Sequence, residues 1–285
     1  MRLGLAAIGI GAGADRGVID AVAVAAQDCG FSTLWAAEHV VMVDQAASHY
    51  PYSGDGKIAI SAAVDWLDPL IGLSFAAAAT STINVATGVL LLAEHNPVLV
   101  AKQAATLDRL SGGRLLLGVG IGWLREEFDA LGVPFPRRAQ RTAEYVMAMR
   151  TLWRDDSATF AGEFVKFDAV RVNPKPLRDR SIPIIVGGNS DAALRRAVAW
   201  GDGWYGFNLD VNTLAERVEF IHQLCRDAGR DPGQLQLVVN LADPQPSDVS
   251  ELVDLGINEL VFVNTPPERP RDATSWVATL ADRWM

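Results

Sequence analysis

Short runs rich in valine, isoleucine and leucine recur along this chain, each followed by a longer segment with helical spacing of its apolar residues. The runs are Leu3–Ile8, Thr33–Ala36, Ile83–Leu91, Leu115–Val119, Ile184–Val186, Gly203–Phe207, Leu235–Asn240 and Glu259–Val263. Most lack the polar alternation of a half-exposed strand, as expected of parallel strands covered on both faces. Helices are predicted at Val18–Cys29, Pro69–Ala79, Pro97–Leu110, Arg138–Trp153, Asp191–Trp200, Thr213–Ala228, Pro246–Leu255 and Ala273–Trp284. Asn96-Pro97 sets a capping side chain before a proline at the first helical position, and Ser111-Gly112-Gly113 stops that helix. Ser190 is placed to cap the helix that begins at Asp191, and Gly229 to close the one holding Cys225. Strict alternation of this kind predicts an α/β fold, a closed (β/α)8 TIM barrel. The 285 residues suit one such barrel of roughly 250, read here as a single domain over 1–285.

Two connections run longer than barrel loops usually do. Val40–Asp68 joins the second strand to its helix and contains Tyr50 and Tyr52. Because it follows a strand, it is expected at the catalytic face as a lid. Asp155–Pro183 lies between the fourth helix and the fifth strand, with a small extra strand predicted at Phe164–Phe167.

Composition excludes several functions. The net charge is −9 and no basic stripe interrupts it, so nucleic acid is not an expected partner. No apolar run reaches the roughly 18 residues of a membrane span. Cys29 and Cys225 form no CxxC pair, and read as buried free thiols of a reducing, cytoplasmic compartment. Arg2, the apolar stretch to Ile10 and Ala12-Gly13-Ala14 resemble a short signal peptide. Gly4, Gly9 and Gly11 interrupt that run, which favours a first buried strand.

Four glycine- or acid-bearing segments stand at predicted strand ends. Gly9-Ile10-Gly11-Ala12-Gly13-Ala14 matches GxGxxA, and Glu38 lies where a ribose-binding acid belongs in a dinucleotide fold. The first helix starts only after Asp15-Arg16-Gly17, too late for its N-terminus to cradle a pyrophosphate, so a pocket-lining loop is the better reading. Gly187-Gly188-Asn189-Ser190 follows the fifth strand and opens a helix, a backbone anion site or else a tight turn with a capping serine. Gly118-Val119-Gly120-Ile121-Gly122-Trp123 ends the fourth strand; bare backbone there admits a flat ligand or a phosphate, or else a close-packed bend. Glu38-His39 ends the second strand, where an imidazole can hydrogen-bond a ring carbonyl or move a proton near neutral pH. Trp35, Trp66, Trp123 and Trp204 lie near strand ends and suit either a planar ring or ordinary packing. His49, His95 and His222 show no ligand spacing with His39, and no metal site is expected. There is no GxSxG elbow and no GxxxxGK[ST] loop.

Taken together, several of these segments resemble one family. They are Ala86–Val89, Asn96-Pro97-Val98, Ala101–Asp108, Leu110–Arg114, Leu117–Trp123 with Glu126-Glu127-Phe128, Pro174-Lys175-Pro176, Pro183–Ser190 and Asp202-Gly203-Trp204. With Glu38-His39 and Trp66–Leu70 they are similar to the luciferase-like monooxygenase superfamily, in particular its actinobacterial branch that uses the deazaflavin coenzyme F-420. The likeness covers residues 1–210 in motif and the last quarter in layout.

The resemblance implies an oxidoreductase that carries an isoalloxazine-type ring at the C-terminal ends of the strands. A bulge with a non-prolyl cis peptide would back the ring at Gly88-Val89. Gly187, Gly188, Asn189 and Ser190 would hold the phosphate, with Gly120 and Gly122 nearby. Glu38 and His39 would border the ring, with His39 contacting it or relaying a proton. Tyr50 and Tyr52 would cover a small substrate, and a homodimer is implied. Deazaflavin sugar-phosphate dehydrogenases of the superfamily place a glutamate where this chain has Ile121, which speaks against that reaction. Two alternatives stay open: an FMN-dependent monooxygenase that uses O2, and a non-catalytic flavin-binding barrel.

Overall fold

A computed structural model describes residues 1–284, and in it the eight predicted strands close on one another. They are β1 (Arg2–Ala6), β2 (Thr33–Ala36), β3 (Asn84–Thr87), β4 (Leu115–Val119), β7 (Ile184–Gly187), β8 (Gly203–Leu209), β9 (Gln236–Leu241) and β10 (Glu259–Val263). β10 pairs in parallel with β1 from Arg2↔Glu259 to Ala6↔Val263, and this ladder seals the barrel. The open sheet that a dinucleotide fold needs is therefore absent from the described residues. In its place Gly11–Ala14 forms a single 3-10 turn, and Asp15 caps the following helix by accepting from the Val18 amide at 3.0 Å.

The missing polar alternation has a direct cause: alternate residues fill two different apolar compartments. Trp35, Ala86, Leu116, Ile185, Tyr205, Val238 and Val261 point inward and fill the barrel. Their neighbours Leu34, Val85, Leu117, Ile184, Val239 and Leu260 pack outward against the helices.

Those helices are α1 (Arg16–Asp28), α2 (Pro69–Ala79), α3 (Pro97–Leu110), α5 (Arg138–Arg154), α6 (Asp191–Trp200), α7 (Val211–Asp227), α8 (Val249–Asp254) and α9 (Pro270–Trp284). The predicted helix Pro246–Leu255 is split, because Pro246–Asp248 forms a 3-10 turn before α8. A further helix, α4 (Arg125–Ala130), stands where none is predicted, since six residues give too short a window for a 3.6-residue pattern to register. In the long insertion, β5 (Ala158–Ala161) and β6 (Lys166–Val170) form an antiparallel hairpin, and the predicted strand Phe164–Phe167 falls half in its turn and half in β6. Cys225 is buried as expected, whereas Cys29 is half-buried.

The third strand is shorter than predicted. It leaves the ladder after Thr87, Leu90 makes one isolated bridge to Val119, and the Leu91 amide donates to Glu38 at 2.5 Å instead of to a strand. The Gly88–Val89 peptide bond is cis, in keeping with the expectation at that bulge.

The Asn96 side chain accepts from the Val98 amide at 2.9 Å and from the Leu99 amide at 3.4 Å. Asn96→Ala removes these acceptors from the start of α3 and is expected to cost about 1 kcal/mol, read as a Tm lower by about 2–4 °C.

Candidate active site at the C-terminal mouth of the barrel

A cavity of about 500 Å³ opens at the C-terminal ends of the strands, within the size range of cofactor pockets. Trp35 and Tyr205 form its floor, their ring centroids 5.0 Å apart. Trp66 and Trp123 stand on the wall, and Tyr50 and Tyr52 reach over from the long loop between β2 and α2. Tyr50 packs edge-on against Trp123 at 5.1 Å, and Tyr52 against Phe207 at 5.2 Å, so the loop is seated on the rim by its aromatic rings. Burial raises the Tyr50 hydroxyl to about 12, and the neighbouring Tyr52 adds to this. Both phenols therefore face the cavity as neutral hydrogen-bonding groups at ordinary pH. Trp204, the fourth tryptophan expected near a ring, is instead buried outside the cavity, where its Nε1 donates to the Gly188 carbonyl at 2.8 Å.

Leaving β2, the chain directs consecutive side chains to opposite sides, as an extended backbone must. Glu38 accepts from the Leu91 amide and pairs with His95 Nε2 at 3.0 Å, which ties the β2 end to the bulge after β3. This pairing favours the charged imidazole against the burial that would lower it, and on balance the His95 pKa is raised. His39 turns to the cavity, and its Nδ1 lies 2.7 Å from Glu127 Oε2. Glu127 is fully buried, and its other oxygen accepts from the amides of Val40 at 2.6 Å and Val41 at 3.0 Å. A carboxylate already accepting from two amides needs a donor at Nδ1, which leaves the Nε2 atom of His39 with no protein partner among the described residues. Trp66 and Trp123 meet the imidazole at near-perpendicular angles and fix its plane.

Glu126 and Glu127, adjacent on the first turn of α4, hold two points of the long loop. Glu127 takes Val40 and Val41. Glu126 accepts from the Ala47 amide at 2.6 Å, the Ser48 amide at 3.1 Å and the Ser48 hydroxyl at 2.7 Å. The Ser48 hydroxyl first, and the loop amides after it, hold the Glu126 carboxyl down to about 2. Sequence reasoning quoted Glu126-Glu127-Phe128 as part of a family motif but gave Glu127 no role. The missed signal was a pair of acids opening a helix next to the strand-4 glycines, across the barrel mouth from a histidine.

The rim glycines make room for one side chain. A Cβ built on Gly118, Gly120 or Gly187 would stand 3.4, 2.7 or 2.8 Å from a methyl carbon of Val89. Val89 thus sits in a socket that only bare backbone leaves open, and its own backbone is offered to the cavity beside Gly88. Of the predicted cofactor contacts, Glu38, His39, Gly88, Val89, Gly187 and Gly188 line the cavity, together with the lid residues Tyr50 and Tyr52. Gly120 and Gly122 lie behind the wall: the first is against Val89 and the second, at φ 77°, is against Phe128 and Glu94. Asn189 and Ser190 also stand outside it. The Asn189 side chain donates to the Phe207 carbonyl and accepts from the Phe207 amide, and Ser190 caps α6. No group of three or more His, Cys, Asp and Glu residues suited to a metal ion occurs among the described residues, and no described helix is long and apolar enough to cross a membrane.

One further acid was not singled out from the sequence. Glu94 is 7% exposed, and both its carboxyl oxygens are buried without a hydrogen-bond partner. Burial raises it to about 9, with the charges of Glu127 and Glu38 adding to this, so it carries a proton at neutral pH.

Comparison with known proteins identifies this arrangement. Residues 6–242 match the family described as luciferase-like monooxygenase. The chain belongs to that family. An uncharacterized protein of Mycobacterium tuberculosis is 38% identical to this luciferase-like chain over 273 residues, 94% of each sequence. Among solved structures, the coenzyme F-420-dependent tetrahydromethanopterin reductase of Methanopyrus kandleri superposes with a TM-score of 0.75 at 16% identity, covering 99% of this chain and 97% of its own. A monooxygenase from Streptomyces bottropensis gives 0.76 at 18% identity, covering 99% and 98%. Likeness at such identities carries the barrel. The luciferase-like family to which the chain belongs consists of oxidoreductases and monooxygenases.

Proposed function

We propose that this luciferase-like barrel is an oxidoreductase that moves a hydride between the deazaflavin coenzyme F-420 and a small, largely apolar organic substrate. The observation that carries the reading is the aromatic cavity whose wall holds one imidazole, oriented by a buried carboxylate and otherwise unpartnered. The cavity fits a flat tricyclic ring by size and lining, with the bare backbone of Gly88 next to the Trp35 floor. Deazaflavin over flavin rests on the resemblance of the motif run from Ala86 to Trp123 to the F-420-using branch.

When bound, the cofactor supplies the hydride chemistry, and the chain supplies binding, orientation and exclusion of water. In this reading Gly88, Val89, Gly187 and Gly188 would hold the cofactor, with Asn189 and Ser190 behind them shaping the phosphate turn. Tyr50 and Tyr52 would cover the substrate. His39 holds or moves a proton at Nε2, while Glu127 keeps the opposite nitrogen protonated.

Titration of the purified chain with F-420 and, separately, FMN tests the cofactor assignment through fluorescence quenching. Saturable micromolar binding of F-420 is expected. Binding of FMN alone would replace the proposal by the flavin monooxygenase reading, and binding of neither would favour a barrel without catalytic function. His39→Ala is expected to lower turnover by roughly 10²–10⁴-fold with the Tm nearly unchanged, and unaltered turnover would remove its role.

A further inference from the structure

The first strand carries a glycine in its middle, and the space it leaves is filled by an acid. A Cβ on Gly4 would overlap Glu259 Oε1 and stand 2.9 Å from Trp35 Nε1. Glu259 opens β10 two residues before Val261, so its side chain shares the inward face of that strand. It is fully buried at the N-terminal end of a barrel interior filled by Trp35, Tyr205 and aliphatic side chains. A carboxyl in such a place is unfavourable unless its oxygens are met. Oε1 accepts from Trp35 Nε1 at 2.8 Å and Oε2 from the Thr33 hydroxyl at 3.1 Å, with Arg2 Nη2 3.9 Å from Oε2. Burial raises the Glu259 carboxyl, and Trp35, Arg2 and Thr33 in turn act to lower it. Ionised or protonated, the group keeps an oxygen that can accept from the indole.

The indole carries this fixed point to the cavity. Trp35 is 1% exposed and forms the floor with Tyr205. Its other edge lies under the bulge: a Cβ on Gly88 would stand 3.1 Å from Trp35 Cε3 and 3.2 Å from Tyr205 Cε1. The bond at Nε1 decides between the two ways the ring can face, since an indole turned over would leave Nε1 and a buried oxygen both unpaired. Thr33 and Trp35 are alternate residues of β2, so one carboxyl holds both. Glu259 does not itself line the cavity, and any effect it has there passes through the indole.

We infer that Glu259 is a positioning residue, which acts through Trp35 Nε1 to fix the floor against which the cofactor's tricyclic ring binds. This rests on the cofactor reading above. Gly4 belongs to the same device, because its bare backbone lets the acid and the indole meet.

The test titrates the protein with F-420 or FMN, whichever wild type binds, and reads fluorescence quenching. Trp35→Phe keeps a ring on the floor and removes the donor, whereas Glu259→Leu fills the space of the carboxyl and removes the acceptor. Each is expected to weaken binding by about tenfold, the scale of one hydrogen bond to a charged group. Both break the same bond, so the double variant should bind at most about twofold more weakly than either single one. Glu259→Gln keeps an oxygen for Nε1, and Thr33→Val leaves the indole bond intact; both should bind like wild type. Wild-type affinity in Trp35→Phe, multiplied losses in the double variant, or an equal loss in Thr33→Val would overturn the role. The first of these needs no change at Glu259 and decides even where Glu259→Leu does not fold. Binding of neither ligand to wild type would instead sink the cofactor reading, and the floor is then read without a ligand. In fluorotryptophan-labelled protein, the fluorine NMR line missing from Trp35→Phe should be single and sharp in wild type and broadened or doubled in Glu259→Leu. The same line in both would show that Glu259 does not hold the indole.

Discussion

Replacing Glu127 by alanine is expected to destabilise the protein by roughly 3–5 kcal/mol and to abolish turnover. The substitution leaves the buried His39 Nδ1 and the partly buried Val40 and Val41 amides without an acceptor, and losing one member of such a network costs far more than the network's net worth. Glu127→Gln separates the two effects. Its amide oxygen can still accept from Val40 and Val41, so the fold is retained. Its NH2 group then faces His39 Nδ1, which must become the acceptor and send the ring proton to Nε2. Turnover is expected to fall by about 10²–10⁴-fold while the Tm drops only a few degrees, as happens when a carboxylate that sets an imidazole tautomer becomes an amide. Equal turnover in Glu127→Gln and wild type would show that His39 needs no orientation.

The second large effect concerns Glu94 and pH. Its folded-state value of about 9 stands well above the 4.5 of an unfolded chain. Between those values the native protein keeps a proton that the unfolded chain has lost, so this group makes stability decline as pH rises from about 5 to 9. Glu94→Gln mimics the protonated acid and removes that decline. The variant should match wild type near pH 5 and exceed it by a few kcal/mol near pH 9, measured by urea unfolding at fixed ionic strength. Parallel stability curves for the two proteins would show that Glu94 ionises normally. The same carboxyl, with the Phe128 ring, crowds Gly122: a Cβ there would stand 2.5 Å from a Phe128 ring carbon and 2.8 Å from Glu94 Oε1.

The barrel was legible because its physics is local. Several helices begin at a capping side chain, so Asp68, Asn96, Ser190 and the glycine stops mark element ends within a few residues. Two-sided burial then turned the strands into the continuous apolar runs by which they were found. The site was legible only in part. Glu38, His39, Tyr50, Tyr52 and the Gly88-Val89 bulge lie at strand ends or in the one long catalytic-side loop, which is where barrel geometry puts functional groups.

Glu127 was hidden because its partner is 88 residues away and its helix is six residues long. The role of Gly120 was misplaced for a similar reason: what needs the bare backbone is the Val89 side chain, brought there by the pairing of β3 with β4.

The central claim is that the aromatic cavity holds a flavin-type ring against the Gly88-Val89 bulge, within reach of His39. A crystal structure of the protein with F-420, or with FMN if that is the ligand it binds, measures this directly. The account predicts ring density between the Trp35 floor and the Tyr50–Tyr52 lid, with the phosphate toward Gly187 and Gly188. Density for the ring outside this cavity, or a ring inside it with His39 Nε2 turned away and bonded to protein, would contradict it.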